Sequence, residues 1–315
     1  MDTFLFSVNA TLPVFITIII GYILKRLGFF DEHFTAAADR FSFRVTLPVL
    51  LFLDIATSDL QSGYDIRFML FCSGATLAAF LLSWLCAVIF VKDREQIGAF
   101  SMASFRGSAA VLGIALVKNV YGSTGLAPLM IVASVPLYNA LSVIVLTVYA
   151  KRDDTERKIP FGKILFDIVT NPLIIAVFLP LPFAFFHITI PEIPMKVLSN
   201  FAAIASPFAL VILGAGFEFR AAKSKLGLTV AASFLKTVGL PLVFVPLAVL
   251  CGFRNEALVA IAVMLASPST VACYIMARNM KSDARLVSGI VMMTSLVSSV
   301  TITGMFFVLR SFGFI

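Results

Sequence analysis

The chain has 315 residues, of which 60% are hydrophobic and 13% charged, with a mean hydropathy of +1.02 and a formal net charge of +7. Soluble domains run at roughly half apolar and a quarter charged, so this composition excludes a water-soluble globular protein and reads as an integral membrane protein. The positive charge needs no nucleic acid to explain it, because most of it falls in loops on one side of the membrane.

A membrane span takes about 20 mostly apolar residues to cross about 30 Å of hydrocarbon. Ten such runs follow one another, at 7–24, 37–57, 66–91, 97–117, 125–149, 164–186, 197–217, 226–250, 257–277 and 286–309, and little chain is left over for a soluble domain. The N-terminus, Met1-Asp2-Thr3-Phe4, has no basic stretch, so the first run reads as a retained span and not as a cleaved signal. Span 1 carries Asn9 and Pro13. Span 2 carries Arg40, which either snorkels to the interface or faces the interior, and one turn deeper Arg44, which either forms a structural pair with Asp39 or Asp167 or serves a site. Span 4 holds Ser104-Phe105-Arg106-Gly107-Ser108, a charge and hydroxyls at mid-membrane. Span 6 begins with Asn171-Pro172, span 7 holds Pro207, and span 8 places Lys236 near its middle, too deep to snorkel. Span 9 holds Leu265-Ala266-Ser267-Pro268-Ser269-Thr270.

Spans 4 and 9 read as broken helices. Pro268 lacks an amide hydrogen and clashes with the preceding turn, and Ser269 and Thr270 suit the cap of a new helix start. The alternatives are a simple proline kink in span 9 and a small-residue packing face in span 4. Arg106 argues against the second, since a mid-membrane cation costs roughly 2.5–3.5 kcal/mol on insertion scales unless it faces protein or a wet cavity. Irregular backbone at this depth is tolerated in the same places, and the positive ends of half-helices there favour an anion.

The two halves repeat at an offset of 159: Pro13 meets Pro172, Pro48 meets Pro207, and 104–108 meets 263–267. The expected units are 1–150 and 164–315, joined by a short linker at 151–163. If the N-terminus lies outside, the cytoplasmic loops hold fifteen Lys and Arg residues against five in the outer loops and tail, which the positive-inside rule favours. Both termini then lie outside the cytoplasm in a plasma (inner) membrane. Five spans per half is odd, so the second copy runs inverted.

Enzyme chemistry finds no support. His33 and His187 lie in or near loops, there is no HExxH or GxSxG, and no acidic pair sits at mid-membrane. Cys72, Cys86, Cys251 and Cys273 fall in apolar runs and read as small core residues, not disulfides or metal ligands. No metal or cofactor is expected. The expected cavity offers Arg106, Lys236 and two half-helix N-termini with no compensating carboxylate, so the ligand reads as an anion. Lys236 reads as the fixed positive charge that a bound sodium would otherwise supply.

Several segments resemble the auxin efflux carrier family, which includes plant auxin carriers and bacterial malonate and malate permeases. Asp39-Arg40-Phe41 followed by Leu47-Pro48-Val49-Leu50-Leu51-Phe52 is similar to the family's span 2 segment. Gly107-Ser108-Ala109-Ala110-Val111-Leu112-Gly113-Ile114-Ala115-Leu116 followed by Tyr121-Gly122 resembles its span 4 signature, and Pro268 stands at its second crossover proline. Gly107 replaces the first crossover proline of the plant carriers, Ser108 an asparagine used at their substrate site, and Ala115 a second proline. Those departures favour a small carboxylate over auxin. The resemblance implies an all-α fold like that of sodium/proton antiporters and bile-acid symporters, with spans 1, 2, 6 and 7 as a scaffold, often at a homodimer interface, and the others as a mobile core in which broken helices 4 and 9 cross. It further implies that a small organic anion is contacted by Arg106, Gly107 and Ser108, by Ser267, Pro268, Ser269 and Thr270, and by Arg44, Thr46 and Ser206 of the scaffold. Alternating access would move core against scaffold, with Pro48 and Pro207 as hinge positions; Asn9 and Asn171 either cap or hinge their spans or make packing hydrogen bonds. The other reading of the chain is an anion channel or a non-transporting membrane receptor on the same fold.

Overall fold

The computed structural model describes residues 2–57, 65–109, 114–121, 125–151, 161–186, 188–217 and 224–315. Among them every regular element is helical, apart from one isolated antiparallel bridge between Gly107 and Ser269. Among the described residues, five helices are long and apolar enough to cross a membrane: Ile66–Phe90, Ala127–Val148, Glu192–Ala215, Leu226–Leu250 and Ala284–Ser311. This is a multi-pass membrane protein.

Helix α1 (Asp2–Arg26) occupies the first apolar run. Helices α2 (Glu32–Phe41) and α3 (Leu47–Ala56) share the second, joined by a π-helical turn at Ser42–Thr46. The third is α4 (Ile66–Phe90). Helices α5 (Arg94–Phe105) and α6 (Ile114–Tyr121) share the fourth, and α7 (Ala127–Val148) fills the fifth. The sixth is divided into α8 (Phe161–Val169), α9 (Pro172–Phe178) and α10 (Leu181–Phe186), and α11 (Glu192–Ala215) fills the seventh. In the eighth, α12 (Leu226–Phe234) and α13 (Leu240–Leu250) flank a second π-turn at Leu235–Gly239. The ninth is divided into α14 (Asn255–Ala266) and α15 (Ala272–Asn279), and the tenth is α16 (Ala284–Ser311).

Local chemistry explains the ends and breaks. Asp31, Asp65 and Asp283 cap α2, α4 and α16 by accepting from Phe34, Phe68 and Leu286 amides at 2.6, 3.0 and 3.0 Å. Asn171 is such a cap too: its Oδ1 accepts from the Leu173 amide at 3.0 Å, with Pro172 at the first helical position. The side chain of Asn9 lies outside those described. Each π-turn precedes a Leu-Pro pair. Pro48 and Pro241 offer no amide to the carbonyl four residues back, so the ladder slips by one residue and the Leu47 and Leu240 amides reach Ser42 and Leu235 carbonyls. Pro207, by contrast, sits inside the uninterrupted α11.

Helix α1 packs along α11, and α3 lies between α11 and α9, while α4 packs on α5 and α7. The α1–α11 contact is backbone on backbone. A Cβ added at Gly21 would land on the Val211 carbonyl, and one at Gly214 on the Ile18 carbonyl. The most deeply buried stretch is Leu258–Ala266 of α14 with Cys273–Ala277 of α15, enclosed by α7, α13 and α16. Hydroxyls in this interior bond back to their own helix, as Ser104 to the Phe100 carbonyl and Ser134 to the Met130 carbonyl, both at 2.7 Å. Large apolar side chains on the outside, such as Leu81, Leu85 and Ile89 of α4, form a lipid-facing surface.

Candidate functional site

Two helices stop in the middle of the protein and two extended segments meet between them. Helix α5 ends where Arg106 turns extended (φ −78°, ψ 120°), and α14 ends where Ser267 does the same (φ −59°, ψ 146°). The freed backbones pair with each other: Gly107 bridges Ser269, and the Ser108 amide donates to the Pro268 carbonyl at 2.9 Å. This satisfies polar groups that hydrocarbon would leave bare. Ser269 ties the pair further, its hydroxyl donating to the Ala103 carbonyl at 2.5 Å and its amide to Thr294 Oγ1 at 3.1 Å. Its hydroxyl therefore serves the neighbouring broken helix and does not cap α15, which begins after Val271 with no side-chain cap.

Lys236, fully buried at the second π-turn, closes the other side. Its ammonium donates to the Phe105 carbonyl at 3.2 Å and the Leu265 carbonyl at 2.7 Å, one at the end of each stopped helix. A cation at two helix C-termini meets the negative ends of both dipoles. Gly107 is packed into the same spot. A Cβ there would strike the Ser267 hydroxyl and stand 2.9 Å from Lys236 Nζ and 3.0 Å from the Met264 carbonyl, so any larger side chain must displace these groups.

On the opposite face of the pair lies a cavity of about 170 Å³. Its polar wall is Arg106, Gly107, Ser108, Pro268, Ser269 and Thr270, with Ser206 of α11 and Ser295 of α16; its apolar wall includes Val14, Leu47, Leu50, Leu51, Leu173 and Leu210. Arg106 is only 5% exposed, and among the described residues no carboxylate pairs with its guanidinium, which donates to Met276 Sδ at 3.0 Å. A buried cation on a cavity wall makes a receptor for an anion.

Of the residues expected at the site, this cavity gathers Arg106, Gly107, Ser108, Pro268, Ser269, Thr270 and Ser206. Ser267 lies behind the wall beside Lys236, its hydroxyl directed to the Met264 carbonyl at 3.4 Å. Arg44 and Thr46 do not line it: Arg44 is exposed on the outer face of its π-turn, and Thr46 is buried with its hydroxyl turned back to the Ser42 carbonyl at 3.5 Å. The turn's extra residue rotates both away. Ala110–Gly113 and Gly122, part of the span 4 signature, lie outside the described residues.

Two corrections concern charge. The expectation of a cavity without a carboxylate fails, because Asp54 of α3 lines it. Leu47, Leu50, Leu51 and Asp54 fall at helical spacing on one face, and that spacing was present in the sequence. Tyr138 of α7 lines it too, its hydroxyl donating to the Met264 carbonyl at 3.3 Å. The partner of Asp39 is Arg278 of α15 and not Arg44: Nε stands 2.5 Å from Oδ2. The approach is off the hydrogen-bonding directions, leaving both Asp39 oxygens without a directed bond, so this is an ion contact. Arg278 also donates to the Tyr274 hydroxyl at 2.8 Å, and Asn279 to the Asp39 carbonyl at 3.3 Å, so α15 is fastened to α2. The Asp167 side chain lies outside those described. A second, wider cavity of about 1140 Å³ lies beyond Tyr274 and Arg278, lined by Lys25, Arg26, Lys151 and Lys225 among others.

A family described as membrane transport protein matches residues 6–306. A curated protein of Methanothermobacter thermautotrophicus, named an uncharacterized transporter, is 21% identical over 302 residues, which cover 95% of this chain and 97% of that one. With nearly its whole length matched, the chain belongs to this membrane transport protein family, the auxin efflux carriers.

Proposed function

We propose that this protein moves a small organic anion, a carboxylate, across the membrane by alternating access, binding it between the paired breaks 106–108 and 267–270. The observation that carries this is Arg106: a buried guanidinium on a cavity wall, with no carboxylate paired to it among the described residues. Backbone and hydroxyl groups of Ser108, Thr270 and Ser206 supply neutral polar contacts around it, and the apolar wall accepts the ligand's carbon body.

In this reading the ten apolar runs are ten spans in two inverted repeats, 1–150 and 164–315 joined by 151–163, with both termini outside the cytoplasm. α1, α2, α3 and α8–α11 form the scaffold, through which a homodimer assembles, and the rest form the core. The Asp39–Arg278 contact then joins scaffold to core and must part for the core to move. Lys236 takes the place of a coupling sodium between two helix C-termini, so transport needs no sodium gradient. An inside-negative potential contributes roughly 2.3 kcal/mol per charge per 100 mV to anion export.

The test is binding and counterflow in one series. Arg106→Gln, reconstituted with wild-type thermal stability, is expected to lose thermal stabilisation by carboxylates and to lose saturable counterflow in proteoliposomes. Normal affinity in that variant would make Arg106 a structural residue. Flux without saturation or counterflow in the wild type would make the protein a channel.

A further inference from the structure

We infer that the wide cavity beyond Tyr274 is an entry chamber for the anion, and that Tyr274, seated on Gly216, is the door between this chamber and the Arg106 cavity. The inference rests on the reading above, that the Arg106 cavity holds the ligand, and adds the route by which the ligand reaches it.

Both cavities lie on one seam. Helix α1 lends Val14 to the narrow cavity and Tyr22 to the wide one, and α11 lends Leu210 to the first and Ala215 to the second. Helix α15, packed on α11, lends Ala272 to the narrow cavity and Tyr274 to the wide one. Leu210 and Ala215 are about 7.5 Å apart along their helix at 1.5 Å per residue, so little more than one layer of side chains parts the two spaces. Tyr274 stands in that layer, only 2% exposed, with its hydroxyl against Gly216.

The seat is shaped for this ring. Gly216 has a φ of −84°, which any residue can adopt, so glycine is not required there for its backbone freedom. It is required for space: a Cβ would land on the Tyr274 hydroxyl and stand 2.9 Å from Arg278 Nη1. The same hydroxyl accepts from Arg278 at 2.8 Å, and Arg278 makes the ion contact with Asp39 of α2. The ring is thus fastened towards α2 as well as α11, and a displacement of α15 from both lifts it off its seat and joins the cavities.

The chamber suits an anion. Among the described residues its lining carries six cationic side chains against three carboxylates, and two of those, Glu32 and Asp283, are paired with the chamber's own Lys25 and Lys225. Glu32 is 81% exposed, which puts the rim at the protein surface. A concave surface with an excess of one sign concentrates ions of the other. Arg278 faces this chamber while it fastens the door, so a carboxylate arriving there competes with Asp39 for the guanidinium.

The experiment uses the full-length chain with its four native cysteines replaced by alanine and one cysteine added, Thr270→Cys in the narrow cavity or Gln96→Cys in the chamber, in membrane vesicles. An impermeant anionic thiol reagent is applied to each face, and the face that labels Gln96→Cys is the chamber's. From that face Thr270→Cys is expected to react at least about tenfold more slowly than Gln96→Cys, as for a passage open only in a minor state. Tyr274→Ala is expected to raise the Thr270→Cys rate at least about tenfold, and Gly216→Ala to raise it in the same direction. Unchanged rates in these folded variants overturn the door. So does a Thr270→Cys as reactive as Gln96→Cys with Tyr274 and Gly216 intact, whichever variants fold. A cationic reagent of equal size labelling Gln96→Cys as fast as the anionic one at low salt overturns the chamber as an anion site. Thermal stabilisation by butyrate reports on the Arg106 cavity separately: its absence refutes the reading beneath, while the labelling rates still decide the door.

Discussion

Replacing Lys236 tests how the two stopped helices are held. In Lys236→Ala the ammonium is lost from the Phe105 and Leu265 carbonyls. Hydrogen bonds from a charged donor contribute roughly 1.5–3 kcal/mol each, and each buried carbonyl left unpaired costs about 1–3 kcal/mol. Against this stands relief of the desolvation penalty of a buried ammonium, several kcal/mol in real proteins. The net loss is about 2–4 kcal/mol, a fall in Tm of roughly 3–6 °C for a chain of this size. The space vacated faces two helix C-termini, where a small monovalent cation meets the same carbonyls. Sodium is therefore expected to raise the Tm of Lys236→Ala while leaving the wild type unmoved, as read by intrinsic fluorescence on heating in detergent with sodium or choline chloride. Flux of the variant in sodium-free proteoliposomes should collapse. Full flux and wild-type Tm without sodium would show that Lys236 neither holds the breaks nor stands in for an ion.

Further outcomes follow from the same geometry. Gly107→Ala places a methyl on the Ser267 hydroxyl and close to Lys236 Nζ, and is expected to cost about 1–3 kcal/mol by overpacking; Ser267→Ala in the same chain should recover part of it, and a neutral Gly107→Ala in thermal unfolding would contradict the packing described. Asp39→Asn leaves Arg278 without its acid; since Arg278 is partly exposed, the loss should stay near 1–2 kcal/mol, whereas Lys196→Gln, at an exposed pair, should change stability by less than about 0.5 kcal/mol. Equal effects of the two would refute the distinction. The hydrogen bond and charge of Lys25 hold the Glu32 carboxyl below its ordinary value, so its small contribution is present at neutral pH and fades as the medium is acidified through the carboxylate range. Glu32→Gln should flatten that part of the acid limb, measured as Tm against pH.

The helical layout and both breaks were legible because they rest on local chemistry. Apolar run length sets helix placement in a membrane, and a mid-membrane Arg106 or Pro268 announces a break whatever surrounds it. Spacing from Arg40 on a regular α-helix would put Arg44 on the same face one turn deeper, but the π-turn before Pro48 changes which face each residue takes. Asp54 lies near the end of its span, and only the packing of α3 against α9 and α11 turns its face towards the cavity. The cap expected of Ser269 was a sound local inference overridden by a tertiary contact, the Ala103 carbonyl arriving from a segment 166 residues away. Lys236 was legible as interior, but its two carbonyl partners come from chain segments that no spacing rule connects to it.

The glycine contacts between α1 and α11 bear on how any motion in this protein can be observed. Because Gly21 meets the Val211 carbonyl and Gly214 the Ile18 carbonyl, neither helix can roll or slide on the other without driving side chains into backbone. The pair behaves as a single beam. Spin labels placed one on each helix should then report a distance that stays constant through the transport cycle, an internal ruler against which displacement of α14 and α15 can be measured.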